Sequence, residues 1–158
     1  MKKSEDLISW SNTLACGIKL IDDQHKNLVE LVNEMHQFAS GNASKENFHF
    51  KRGLQEAVKY ARIHFSTEEK IMIAAKFSGY TEHKKAHEKF ILSIIEFIKD
   101  YEAGKRLTLS TFTRFLKDWI FSHIACMDKV YFEHLKKMAT RKEDGRLSIK
   151  LDNPANTK

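Results

Sequence analysis

The chain has 158 residues, of which 42% are hydrophobic and 30% charged, as in an ordinary soluble globular domain. No apolar run approaches the roughly 18 residues that a membrane span needs, and no apolar segment of a signal peptide follows the N-terminal lysines. The net charge of +6 comes from basic residues scattered among acids without a recognition motif, which argues against nucleic-acid binding. Together these features predict a cytoplasmic protein that contacts neither nucleic acid nor membrane.

The two cysteines, Cys16 and Cys126, are too few for a disulfide framework and fit a reducing compartment. Neither lies in a Cys-x-x-Cys context, so we expect both to be small buried residues rather than metal ligands.

Apolar residues recur at intervals of three and four in four segments, which is the spacing of amphipathic helices. The first predicted helix begins at Ile18, after an irregular N-terminal arm (1–17) that carries Trp10. Ser40-Gly41-Asn42 ends it near residue 38. Ser44 is the expected N-cap of the second helix.

The third helix is predicted to start near Thr81 and the fourth near Thr108 or Ser110. Short loops make neighbouring helices antiparallel, so we predict an all-α, up-down-up-down four-helix bundle. The apolar pattern fades after about residue 138. We therefore expect a domain spanning 1–138, with the arm included, and a polar C-terminal tail (139–158).

Each predicted helix places metal-binding side chains on its apolar face. In the second and third helices these residues are four apart, a spacing that puts both side chains on one face. A buried imidazole or carboxylate is costly unless it is paired or bound to a cation. The set is too large for one ion or for a four-ligand structural zinc site, and would suit two octahedral ions sharing carboxylates. Its members are His25, His64, Glu68, His83, His87, His123 and Asp128.

The fourth helix poses a geometric problem, because His123 and Asp128 are five residues apart. On a regular α-helix they would be separated by about 140°. We therefore predict a π-bulge or a local unwinding between them, since π-bulges occur at functional sites. The remaining histidines, His36, His49 and His134, are expected at the surface or at the core boundary, and Glu69 on the solvent face.

These residues resemble the ligand pattern of the hemerythrins, most closely that of the bacteriohemerythrins and of the hemerythrin-like domains of bacterial sensors. The matching motifs are Ile-Asp-Asp-Gln-His25, His64-x-x-x-Glu68, His83-x-x-x-His87 and His123-x-x-x-x-Asp128. The resemblance implies two iron ions with an oxo or hydroxo bridge and reversible binding of dioxygen. It assigns His83, His87 and His123 to one iron, His25 and His64 to the other, and Glu68 and Asp128 to both.

Four apolar residues that neighbour the candidate ligands are expected to line an oxygen pocket and to exclude water and reductants. They are Leu28, Phe65, Trp119 and Ile120. Imidazole-rich ligation brings little negative charge, which favours reversible binding over oxygen activation. The expected function is therefore oxygen storage, delivery or scavenging by a protein that is not an enzyme, as a monomer or small homo-oligomer.

Two alternatives remain open. The segment Leu14-Ala15-Cys16-Gly17 resembles the hemerythrin-like domains of chemotaxis receptors, which motivates an oxygen or redox sensor. Such a sensor would signal to a protein partner through the N-terminal arm or the C-terminal tail. The third hypothesis is a di-iron peroxidase, ferroxidase or nitric oxide reductase. It ranks lowest, because no candidate general acid stands out beside the pocket.

Overall fold

The computed structural model describes residues 6–39, 41–141 and 147–149, with side chains described up to residue 138. Four long helices form an all-α bundle, which confirms the predicted fold class. The first helix is Lys19–Phe38 and the third is Tyr80–Glu102. The second (43–74) and the fourth (109–138) are each interrupted by a π-helical segment.

The second helix consists of Ala43–Tyr60, the π-helical segment Ala61–Phe65, and Ser66–Ala74. The fourth consists of Leu109–Trp119, the π-helical segment Ile120–Met127, and Asp128–Met138. The first helix packs against the second and the fourth, and the second packs against the third.

The second and fourth helices each begin with an N-cap residue whose side chain accepts a hydrogen bond from a backbone N–H. The fourth helix starts near Thr108, one of the two predicted positions, and Thr108 is its N-cap, accepting a hydrogen bond from the backbone N–H of Thr111 at 3.1 Å. The predicted cap of the second helix was wrong. Asn42, not Ser44, is the N-cap, and its Oδ1 accepts from the Lys45 N–H at 3.1 Å. Both residue types make good caps, but only Asn42 has the extended backbone that an N-cap adopts.

The described part of the N-terminal arm is irregular, as predicted, and is firmly held. Ile8 and Leu14 are buried, and the Ile8 backbone exchanges two hydrogen bonds with the Asn33 side chain, of 2.9 and 2.8 Å. Trp10 lies under the Lys26 ammonium, 5.2 Å from the ring centroid. The Asp22 carboxylate accepts the N–H groups of residues 16 and 17, which ties the end of the arm to the first helix.

The hydrophobic core has two parts, and the candidate ligands lie in the polar layer between them. The larger cluster joins all four helices and the arm, from Leu28 and Phe50 to Phe112 and Ile124. The smaller one lies at the opposite end of the bundle and consists of Ile21, Met72, Ala75, Tyr131, Phe132 and Leu135.

The sequence analysis did not predict two short strands. Residues 139–141 and 147–149 pair antiparallel, with Thr140 opposite Ser148, within the segment predicted as a polar C-terminal tail. Three-residue strands are too short to leave an alternating pattern in the sequence. Cys16 is half-buried and Cys126 is exposed, so the expectation that both are buried was wrong. None of the described helices is long and apolar enough to cross a membrane.

Candidate metal centre

All seven predicted ligand side chains meet in the polar layer, and each is at most 2% exposed. Their donor atoms form two groups of four in which every atom lies within 4.8 Å of the others. Glu68 belongs to both groups. The first group is Glu68, His83, His87 and His123, and the second is His25, His64, Glu68 and Asp128.

The π-helical segment Ile120–Met127 aligns His123 with Asp128. The Asp128 Oδ1 atom lies 3.0 Å from the His123 Nε2 atom, although the two residues are five apart. This geometry confirms the predicted π-bulge. A second π-helical segment, Ala61–Phe65, contains His64 and was not predicted. The four-residue spacing of His64 and Glu68 already suits a regular helix, so it gave no signal of a wider turn.

Each carboxylate reaches histidines of both groups. The Asp128 Oδ2 atom lies 3.3 Å from His25 Nε2, while its Oδ1 atom lies 3.2 Å from His83 Nε2. The Glu68 Oε2 atom lies 3.3 Å from both His64 Nε2 and His87 Nε2. The two carboxylates therefore lie where bridging ligands of a two-ion centre would be.

Several buried atoms at this point lack a hydrogen bond of normal geometry. They include Glu68 Oε2, both Asp128 carboxylate oxygens and His87 Nε2. The Nε2 atoms of His25 and His64 face each other at 3.1 Å, as do those of His83 and His123. Buried oxygens and nitrogens that converge without partners are costly, and a bound cation would satisfy them. The donor set therefore fits metal ions.

The electrostatics keep both carboxylates ionised. Burial alone would raise the pKa of Glu68, but the neighbouring His64, His83 and His87 hold this pKa well below its ordinary value. The pKa of Asp128 is lowered too, because hydrogen bonding to its neighbouring histidines outweighs burial and the charge of Glu68. The site thus has the deprotonated carboxylates that cation binding requires.

The pKa values of His83 and His123, the two histidines near the Asp128 Oδ1 atom, shift in opposite directions. Burial lowers the pKa of His83, but interaction with Asp128 and Glu68 reverses this and raises it to about 9. For His123 burial dominates, and its pKa is lowered despite the contact with Asp128.

Outer hydrogen bonds orient three of these side chains. The His64 Nδ1–H donates to Gln24 Oε1 at 2.8 Å, and the His87 Nδ1–H donates to Glu69 Oε1 at 3.0 Å. Each bond directs the opposite ring nitrogen, Nε2, towards the centre. The Tyr131 hydroxyl donates to Glu68 Oε1 at 2.7 Å and leaves Oε2 facing the histidines.

The sequence analysis assigned no role at the centre to any of these three partners, Gln24, Glu69 and Tyr131. Glu69 was expected on the solvent face, but its side chain is 24% exposed and is bound to His87, so that expectation was wrong. Its partner lies on another helix, and spacing within one helix carries no such signal. Tyr131 was not predicted to contact the centre. A tyrosine facing the core three residues after Asp128 was the available signal.

Aromatic rings cover three of the histidines. Phe65 stacks on His87 and Trp119 stacks on His123, both with ring centroids 3.9 Å apart. Of the four predicted pocket residues, Phe65, Leu28 and Ile120 are buried and Trp119 is half-buried. Tyr60, which was not predicted, stacks on His64 at 4.7 Å.

The three histidines outside the site lie where predicted. His36 is exposed, whereas His49 and His134 are half-buried at the core boundary. The His134 Nε2–H donates to the Ala75 carbonyl at 3.0 Å, which joins the fourth helix to the end of the second.

The family model of the hemerythrin HHE cation-binding domain matches residues 16–135, a span that contains all seven candidate ligands. The chain belongs to the hemerythrin family. It is 33% identical to the bacteriohemerythrin of Pseudomonas aeruginosa over 127 residues, which are 80% of each chain. It is 32% identical to the myohemerythrin of Sipunculus nudus over 123 residues, which cover 77% of this chain and 88% of that protein.

Hemerythrins of known structure share the fold. A crystal structure of wild-type hemerythrin superposes with a TM-score of 0.68 at 30% sequence identity, covering 82% of this chain and 98% of the other. The hemerythrin fold thus accounts for the described bundle almost in full. The cation-binding description of the domain agrees with the unpartnered donors found at its centre.

Proposed function

We propose that the protein binds dioxygen reversibly at a non-haem di-iron centre, as an oxygen-storage, delivery or scavenging protein rather than an enzyme. One observation carries this proposal. Two groups of four buried donors share Glu68, and the Asp128 carboxylate spans from His25 to His83 with its two oxygens. A single ion would leave part of this set unused, whereas two ions use all of it.

The donor types support iron with an oxo or hydroxo bridge. Five imidazoles and two carboxylates suit a redox-active first-row metal, and neither cysteine belongs to the set. In this assignment His83, His87 and His123 would hold one ion, His25 and His64 would hold the other, and both ions would share Glu68 and Asp128. The bound irons would supply the electrons and the open coordination position that dioxygen needs.

The protein's own side chains supply orientation and exclusion of water. Tyr131 fixes one oxygen of Glu68, while Gln24 and Glu69 fix the ring orientations of His64 and His87. The ion held by His25 and His64 would have one histidine ligand fewer than the other ion. It would therefore be the ion with room for a small exogenous ligand. Apolar and aromatic residues around the ligands, the predicted pocket among them, keep water and reductants away.

The decisive test is an optical spectrum of anaerobically reduced, iron-loaded protein before and after air is admitted. A visible charge-transfer band that forms with air and disappears under vacuum would support reversible dioxygen binding. Immediate conversion to a stable diferric spectrum without that band would contradict it. Steady turnover of peroxide, ferrous ion or nitric oxide would instead identify an enzyme.

A second candidate function, an oxygen or redox sensor, is favoured by the contacts of Lys129. This residue directly follows Asp128, and its ammonium donates to the backbone carbonyls of Asn12 at 3.1 Å and Ala15 at 2.8 Å. Any displacement of the Asp128 backbone would therefore be transmitted to the N-terminal arm. A protein partner would then read the position of the arm.

Limited proteolysis in the diferrous and diferric states tests the sensor hypothesis. A sensor requires that cleavage of the arm differ between the two states, and that Lys129→Met abolish the difference. Lys136→Met is the matched control, because Lys136 pairs only with Glu133 on its own helix among the described contacts. Identical cleavage in both states would exclude signalling through the arm.

A further inference from the structure

A surface groove between the first and second helices leads towards the candidate centre. It has a volume of about 340 Å³, and its inner end is lined by Leu28, Tyr60 and His64. Charges of both signs surround its outer part. An ion pair between Arg52 and Glu34 joins the two helices there. Because its inner end is partly apolar and its rim carries no single sign of charge, the groove suits a small uncharged molecule better than an ion.

The ring of Tyr60 forms the inner wall of this groove. One face of the ring stacks on His64, with centroids 4.7 Å apart. Its edges meet Phe65 at 5.6 Å and Phe90 at 6.2 Å. Tyr60 as a residue is half-buried, whereas its hydroxyl is fully buried. The side chain therefore separates the groove from the protein interior.

Behind Tyr60 lies a cluster of packed aromatic rings. Phe65 and Phe90 both pack against Trp119, at 5.6 and 4.6 Å, and Trp119 in turn covers His123. The buried Trp119 indole N–H interacts with the buried Tyr60 hydroxyl, but not in the geometry of a normal hydrogen bond. This contact therefore holds the Tyr60 hydroxyl only weakly.

We propose that the Tyr60 ring is a gate through which small uncharged diatomic molecules pass from the groove to the aromatic cluster beside the candidate metal centre. Among the described polar contacts of Tyr60, rotation of the ring breaks only the weak contact of its hydroxyl with Trp119. Tyr60 is also the last residue before the π-helical segment Ala61–Phe65, a wider turn than its α-helical neighbours. That dioxygen is the molecule admitted rests on the proposed function.

Kinetics of dioxygen binding to the iron-loaded protein distinguish a gate from a hydrogen-bond donor. For Tyr60→Ala, we expect the association and dissociation rates to rise together, on the order of tenfold, with an unchanged equilibrium constant. Tyr60→Phe keeps the ring and should leave both rates near those of the native protein. A rise in dissociation alone in Tyr60→Phe would show a donor role and overturn the gate.

Tyr101→Ala is the matched control. Tyr101 is also half-buried and stacked on an aromatic ring, Phe50 at 5.5 Å, but it borders a different groove near Gly104 and Thr108. Its substitution should leave both dioxygen rates unchanged. If it accelerated them as much as Tyr60→Ala, general loosening of the bundle would explain the result instead of a gate.

A metal-free measurement keeps the gate testable even if the protein binds no dioxygen. Trp119 is the only tryptophan besides Trp10, so Trp10→Phe leaves one fluorophore, which lies behind the gate. In that background we expect Tyr60→Ala to raise the bimolecular constant for quenching by dioxygen by about twofold or more. Quenching by iodide, which reports the solvent-facing edge of the indole, should stay constant.

Tyr60→Leu replaces Tyr60→Ala if the alanine variant does not fold. Circular dichroism checks the fold of each variant. Dioxygen quenching that is unchanged in a folded variant with a smaller residue 60 would overturn the gate, independently of any result with iron.

Discussion

The Glu69 Oε1 atom lies 3.0 Å from the His87 Nδ1 atom, although the two residues belong to different helices. With this acceptor in place the proton stays on Nδ1, and Nε2 faces Glu68 with a free lone pair. Glu69 thus acts on the centre without contacting it. Acceptors of this kind also raise the basicity of the imidazole and hence its strength as a ligand.

Replacing Glu69 should weaken iron binding. Glu69→Leu removes the acceptor, and we expect iron affinity to fall by about 10- to 100-fold, the usual effect of losing an outer partner of a metal-binding histidine. Glu69→Gln keeps a neutral acceptor and should cost less. Titration with ferrous ion against a competing chelator measures the effect. The exposed Glu82→Gln serves as the control, and equal affinities of all three variants would contradict the role assigned to Glu69.

Substitution of the candidate ligands tests the two-ion assignment. His123→Ala and Glu68→Ala each remove donors from the buried cluster, so the purified proteins should contain well under two irons per chain. His36→Ala removes an exposed histidine and should retain the native content. Elemental analysis after anaerobic reconstitution gives the answer, and full iron retention in the first two variants would refute the assignment.

The metal-free protein should lose stability as the pH rises from about 6.5 to 9. The folded pKa of His83, about 9, lies above its ordinary value of 6.5, because Asp128 and Glu68 outweigh the effect of burial. Its contribution is fully present below pH 6.5 and is lost as the pH rises through 9. The lowered pKa of His123 acts in the opposite sense, at and below pH 6.5, and does not overlap this window.

Urea unfolding of chelator-treated protein at several pH values measures this effect. His83→Gln should flatten the dependence between pH 6.5 and 9, and His36→Gln should not. A native protein whose free energy of unfolding is constant over this range would show that His83 is not stabilised in its charged form.

The start of the second helix offers a test of local stability. Asn42→Ala removes the side chain that accepts the Lys45 N–H, and should lower the free energy of unfolding by about 1 kcal/mol. Ser44→Ala lies two residues later, makes no described cap, and should change stability little. The pair is compared by urea unfolding, and a larger loss for Ser44→Ala would reverse the assignment of the cap.

Periodicity and spacing were sufficient to predict the four helices and the residues that meet at the centre. Candidate ligands such as His83 and His87 lie on apolar stripes, where a polar residue is an anomaly that the sequence displays directly. The five-residue interval between His123 and Asp128 predicted the π-bulge in the same way, because a regular α-helix would not place both side chains on one face.

The features that the sequence analysis missed depend on contacts between helices or on small differences in backbone conformation. The Glu69–His87 pair joins two helices, and no local pattern distinguishes it from a solvent-facing glutamate. The choice of Asn42 over Ser44 as cap depends on where the chain turns. In the sequence, Tyr60 looks like any tyrosine at the boundary of the core. Only the structure shows that its ring stacks on His64.

The two π-helical segments have a consequence for how the chain tolerates changes in length. A π-turn holds one residue more than an α-turn, so each segment takes up one extra residue while the helix beyond it keeps its orientation. Both segments lie beside the polar layer. Deleting one residue between His123 and Asp128 would leave them four apart, a spacing that a regular α-helix places on one face. We therefore expect this deletion to be absorbed by a change from π-helix to α-helix. A deletion between Tyr131 and Leu135 has no extra residue to remove, and would rotate Leu135 off the smaller cluster.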